Sequence, residues 1–120
     1  MVERRSQAET HPVCVNLDPG ICGFPCIVKA TRAERHRVLV TIRDSECEHI
    51  QRLSESLNEI GLRDLFAPIS RNPAFISAER AGCHPSCPIP IAIMKAVEAA
   101  MDMALPRDVF IRFNYRERGG

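Results

Sequence analysis

Three prolines bracket an apolar segment late in this chain: Pro88 and Pro90 open it and Pro106 ends it. Proline fits the first turn of a helix, where its missing N–H has no partner to lose, and breaks a helix interior. These residues therefore confine a helix to Pro88–Leu105. Cys87 falls at or near its N-cap, where a sulfur meets unpaired backbone N–H groups and the positive end of the helix dipole, a setting that favours the thiolate. Lys95, Glu98 and Asp102 form a narrow polar stripe on an otherwise apolar circumference, so the helix is expected to bury one side against a sheet and another against a neighbour. Met94, Met101 and Met103 cannot all face one sheet, so the sequence leaves two ways to cover them: a homodimer through this helix, or the Arg63–Gly82 segment folded over its exposed side.

The rest of the chain supplies the sheet. Val13, Val15 and Leu17 alternate with polar positions and stop at the Asp18-Pro19-Gly20 turn, and further strands are predicted at Phe24–Thr31 and His36–Arg43 around a charged turn, Arg32–Arg35. Pairing Phe24 with Ile42, Cys26 with Val40 and Val28 with Val38 puts the apolar residues of this hairpin on one face. Ser45-Glu46-Cys47-Glu48 matches a capping box and predicts a helix to Gly61 with a stripe of Cys47, Ile50, Leu53, Leu57 and Ile60. A short helix is expected around Phe75–Arg80 and a last strand at Val109–Tyr115. Strands first, then helices, then a strand imply a two-layer α+β domain over residues 11–116. Its sheet should have about four mostly antiparallel strands with the two main helices on one face. Residues 1–10 are expected to be disordered and 117–120 to fray.

A net charge of +1 leaves no electrostatic footprint for nucleic acid or an anionic membrane. The first ten residues carry no apolar signal core, and the longest apolar run is interrupted by charges, so a soluble protein of the reducing cytoplasm is expected. In such a compartment six cysteines mean metal ligands, reactive thiols or small buried hydrophobes.

An antiparallel hairpin brings the start of its first strand beside the end of its second, which places Cys22 near Cys47. Cys87 joins them if the two main helices run parallel, which requires the last strand to lie parallel to the third. With Cys83 or His84 as a fourth donor, Cys22, Cys47 and Cys87 suit zinc or an iron–sulfur cluster, and the chain reads as a binding module rather than an enzyme. Cys26 is assigned to the core and Cys14 to the opposite side. His11, His36 and His49 are assigned to solvent, and Asp44, Glu46 and Glu48 to helix-start charge. A second reading makes Cys87 the nucleophile of a sulfur carrier or redox relay, resolved by Cys47 or Cys83 and serving a protein partner. A third makes the chain a dimeric interaction domain with its cysteines as filler.

Cys87-Pro88-Ile89-Pro90 resembles the Cys-Pro-x-Pro motif of the small sulfur-carrier proteins, α+β domains that hold a persulfide on that cysteine. Ile21-Cys22-Gly23-Phe24, Ser45-Glu46-Cys47, His84-Pro85-Ser86-Cys87-Pro88-Ile89-Pro90-Ile91-Ala92-Ile93 and Ala104-Leu105-Pro106 together are similar to a family of small uncharacterised proteins of anaerobic bacteria and archaea. That resemblance singles out Cys22, Cys47 and Cys87.

Overall fold

The computed structural model describes residues 12–20, 24–43 and 46–114. Period-two alternation produces β1 (Val13–Leu17), β2 (Cys26–Glu34) and β3 (Arg37–Arg43), and a short β4 (Glu59–Gly61) completes an antiparallel four-stranded sheet in the order β1-β2-β3-β4. Three α-helices among the described residues, α1 (Glu48–Ser56), α2 (Pro73–Arg80) and α3 (Ile89–Ala100), make the fold α+β. Register stacks the apolar residues in rows: Val15 opposite Val28 opposite Ile42, and Val13 opposite Ala30 opposite Val40. Ile60 extends the row begun by Val38. This face is buried or half-buried, while Cys14, Asn16, Leu39, Thr41 and Arg43 on the other are exposed, so the sheet is covered on one side only. α3 packs across β1, β2 and β3, and α2 lies against both α3 and α1. Leu53, Ile60, Ile89, Ile93 and Val97 are fully buried between the layers.

Several boundaries differ from the sequence expectation. The hairpin keeps its apolar parity but slides: Val28 faces Ile42 instead of Val38, and β2 runs on to Glu34 with an irregularity between Arg32 and Glu34. Arg32 holds the charged end of the strand in place, donating to the Arg35 carbonyl at 2.9 Å and pairing with Asp102 at 3.4 Å. Helix α1 is shorter than the capping box implied, because Leu57 turns to extended backbone at φ −111° and ψ 104°. Ser45 lies outside the described residues; the N-cap is Cys47, with no side-chain cap bond. Leu57 and Ile60 are both buried, yet Ile60 reaches the core from a strand, since a spacing of three residues suits a helix face and a helix-to-strand switch alike. The strand expected at Val109–Tyr115 does not form: 109–114 stay outside the sheet, Tyr115 lies outside the described residues, and β4 on the far side of β3 takes the fourth place. α3 stops at Ala100 rather than Leu105. Asp102 takes the left-handed conformation, φ 61°, the Asp102 N–H donates to Ala99 and the Met103 N–H to Glu98, so a Schellman motif ends the helix before Pro106 can. Residues 1–10 and 117–120 lie outside the described residues.

Candidate functional site

Four cysteines from three segments gather where β2 begins. Cys26 is the first residue of β2, and because Ile27 pairs with Arg43, the chain leaving β3 emerges beside it and reaches Cys47 at the start of α1. Cys83 is delivered by the end of α2. There Gly82 sits at φ +85°, its N–H donates to Glu79 and the Cys83 N–H donates to Ala78 at 2.9 Å, a second Schellman motif that swings the chain off the helix axis. A turn follows in which the Cys87 N–H donates to the His84 carbonyl at 3.0 Å, and α3 begins behind Pro88. Cys87 is thus one residue outside the N-cap. Pro90 in the first turn fixes the helix start and hence the placement of that thiol.

Cys26 is buried at 4 % exposure, and Cys47, Cys83 and Cys87 are half-buried against the same core. Burial raises the Cys26 thiol to about 11, with negative charge on Cys87 and then Cys47 adding to the effect. Burial likewise raises Cys83 to about 11, followed by charge on Cys87, a hydrogen bond with the Cys87 side chain, and charge on Cys47. Cys87 and Cys47 thus act on both of these thiols. None of the described cysteines forms a disulfide.

A polar clamp holds the Cys83 segment to α1. His49 Nδ1 lies 2.9 Å from the Ala81 carbonyl oxygen, and Arg52 Nη1 donates to the same oxygen at 3.2 Å. A carbonyl only accepts, so Nδ1 carries a proton and donates it to this bond. The His84 ring stands edge-on to His49, centroids 6.2 Å apart.

Of the residues singled out from sequence, Cys47, Cys83 and Cys87 come together, the exposed His84 borders them, and Cys22 lies outside the described residues. The route differs from the one expected: no strand follows α3, and it is the α2–α3 connection that carries Cys83 and Cys87 to the sheet end. Cys26, assigned to the core, is in the core and also in the group. The signal was present in its position, since the first residue of a strand on the apolar side shares the edge from which Cys47 departs. His49, assigned to solvent, is half-buried and structural. Cys14 is exposed on the open face opposite Lys29, apart from the group. Among the described residues, no three His, Cys, Asp or Glu side chains are arranged to hold one metal ion.

A family model matches residues 13–113, every strand and helix above included. The chain belongs to DUF6951, a family of unknown function. No curated protein and no solved structure matches it. The DUF6951 match takes in all four grouped cysteines and Cys22, and ends at Phe113. No helix among the described residues is long and apolar enough to cross a membrane.

Proposed function

We propose that this DUF6951 protein binds a thiophilic metal ion, zinc or the iron of an iron–sulfur cluster, with Cys47, Cys83 and Cys87 as the core of the ligand set. The observation that carries the reading is the convergence of Cys26, Cys47, Cys83 and Cys87 from three segments onto one end of the sheet, with Cys83 hydrogen-bonded to Cys87. Cys22 and His84 are the candidates to complete the set, and Cys26 is a further donor beneath it. Zinc and iron–sulfur centres both favour thiolates. A cation replaces the protons that burial holds on Cys26 and Cys83, and binding should release protons accordingly. The sulfurs must close up to share an ion, and Cys83 and Cys87 share the short turn between α2 and α3. The thiols fit a reducing, cytoplasmic compartment. Anaerobic purification followed by metal analysis and a visible spectrum tests the proposal. Broad visible absorbance with iron and sulfide identifies a cluster, stoichiometric zinc a closed mononuclear site, and metal-free protein that also fails to take up zinc or iron on titration rejects the reading.

The Cys83–Cys87 hydrogen bond favours a second reading, a thiol relay or sulfur carrier in which Cys87 attacks and Cys83 resolves, working with a redox or sulfur-transfer protein. Incubation with a persulfide donor should then add one sulfur to Cys87 by mass spectrometry. Alkylation of Cys87 at the rate of an ordinary thiol argues against it.

A further inference from the structure

The connection between α2 and α3 brings one sulfur onto another. The Gly82 turn sets Cys83 off the end of α2, and the Cys87 N–H returns to the His84 carbonyl at 3.0 Å. That bond closes a β-turn with Pro85 as its second residue, where the fixed φ of proline suits the turn. The Cys83 and Cys87 side chains meet in a hydrogen bond. His84, Pro85 and Ser86 between them are exposed, so a small solute reaches the pair from the tip of the turn. The other two sulfurs of the group are held differently. Cys26 lies in β2 at 4 % exposure, and Cys47 heads α1, its carbonyl accepting the Gln51 N–H at 3.0 Å. Cys83 and Cys87 are thus the pair that shares one connection, and neither is a residue of a strand or a helix.

We infer that Cys83 and Cys87 close into a reversible disulfide when hydrogen peroxide reaches this turn, and that closing it expels the bound metal ion. The expulsion rests on the metal-binding reading above; the disulfide does not. One thiol of the pair attacks the peroxide: an S–O bond forms, the O–O bond breaks and water leaves, giving a sulfenic acid. The second sulfur then attacks the first, the S–S bond forms as the S–O bond breaks, and the remaining thiol proton departs in a second water. The pair has lost two electrons and two protons, and the peroxide has become two waters. Zinc has no redox chemistry of its own, so the oxidation falls on its ligands, and a disulfide sulfur no longer offers the thiolate that zinc binds. Of the core set Cys47, Cys83 and Cys87, only Cys47 keeps a thiolate once the bond closes. Stabilisation by a disulfide grows with the length of loop it closes, so a bond from residue 83 to residue 87 braces the fold little and stays open to reduction by a dithiol.

Both cysteines fall on one tryptic peptide, Ala81–Lys95, which makes the bond directly readable by mass spectrometry. The reduced, metal-free full chain treated with equimolar hydrogen peroxide should yield this peptide lighter by two hydrogen atoms and closed to alkylation until a dithiol is added. The zinc-loaded chain, given the same peroxide beside a zinc-indicator dye, should release its ion as the disulfide accumulates and take it back on reduction. Cys83→Ser should stop the oxidation at a sulfenic acid on Cys87, trapped by dimedone, and Cys14→Ser should leave both readouts unchanged. A wild-type peptide that stays reduced or passes on to sulfinic acid overturns the inference, as does a bond mapped from either cysteine to Cys22, Cys26 or Cys47, or a disulfide that leaves the zinc in place. A chain that takes up neither zinc nor iron when reduced overturns the metal-binding reading and the expulsion with it, while the metal-free digest still decides the disulfide.

Discussion

Gly82 combines a left-handed backbone, φ +85°, with a tight approach to a side chain, since a Cβ built there would lie 3.0 Å from His49 Nδ1, which would have to shift slightly. Gly82→Ala is therefore expected to cost about 1–2 kcal/mol from backbone conformation alone, with a further penalty if His49 must leave the Ala81 carbonyl. Urea unfolding reads the cost, and an unchanged midpoint means the loop relaxes freely. The variant should also speed alkylation of Cys83, because the same glycine turns that residue toward the core. A second prediction at this scale concerns alkali. Cys26 and Cys83 have folded-state values near 11 against an ordinary 9.0. Below pH 9 both are protonated whether the chain is folded or not, so they add no pH dependence there. Between pH 9 and 11 the unfolded chain loses these protons while the folded chain keeps them, and stability falls as pH rises. Cys26→Val, which keeps the packing and removes the titration, should flatten that fall by on the order of 1 kcal/mol. An equally steep decline in Cys26→Val would locate the alkaline loss elsewhere.

Helix ends, more than helix interiors, decide where the thiols go. Asn72 caps α2 while almost fully buried: its Oδ1 accepts from the Ala74 N–H at 2.9 Å and its Nδ2 donates to the Asp64 carbonyl at 2.9 Å. Asn72→Ala removes the cap and strands that carbonyl, an expected loss of about 1–2 kcal/mol, checked by denaturant unfolding; Asn72→Asp, which keeps the acceptor, should recover part of it. The elements whose local pattern admits one interpretation were legible in the sequence: β1, β2 and β3 from their alternation, the start of α3 from Pro88 and Pro90, and the short α2. Those that tertiary pairing decides were not. Ile60 completes a helical stripe on paper and enters the core from β4 in the fold. Val109, Ile111 and Phe113 alternate like a strand but lie outside the four-stranded sheet. Strand direction placed Cys47 at the end of the sheet where β2 begins, but the route expected for Cys87 ran through a last strand that does not form, and the connection through α2 was hidden because nothing local in Asn72 or Gly82 says where a Schellman turn will aim. Cys26 stayed hidden because an apolar-face position explains a cysteine without a second role.

In the whole molecule the thiol group joins parts that are far apart in sequence. Cys26 belongs to the sheet, Cys47 to the beginning of the helical layer and Cys83 and Cys87 to the turn before its last helix, so an ion held among them would tie the layers together at one end. A ligand that binds only the folded chain stabilises it by RT ln(1 + [L]/Kd), about 4 kcal/mol at a thousandfold excess over Kd. On the metal-binding reading, one equivalent of zinc added anaerobically to the apoprotein should therefore raise Tm by several degrees and release protons measurable in weak buffer. Cys87→Ser should remove most of that rise while leaving the apoprotein Tm near its original value, since Cys87 is only half-buried and contributes little to the core. Cys14→Ser serves as the control, because Cys14 lies on the open face of the sheet and its loss should leave the zinc-induced shift unchanged. If Cys87→Ser and Cys14→Ser alter the shift equally, zinc is binding nonspecifically to thiols, and the convergence at the head of β2 is a matter of packing.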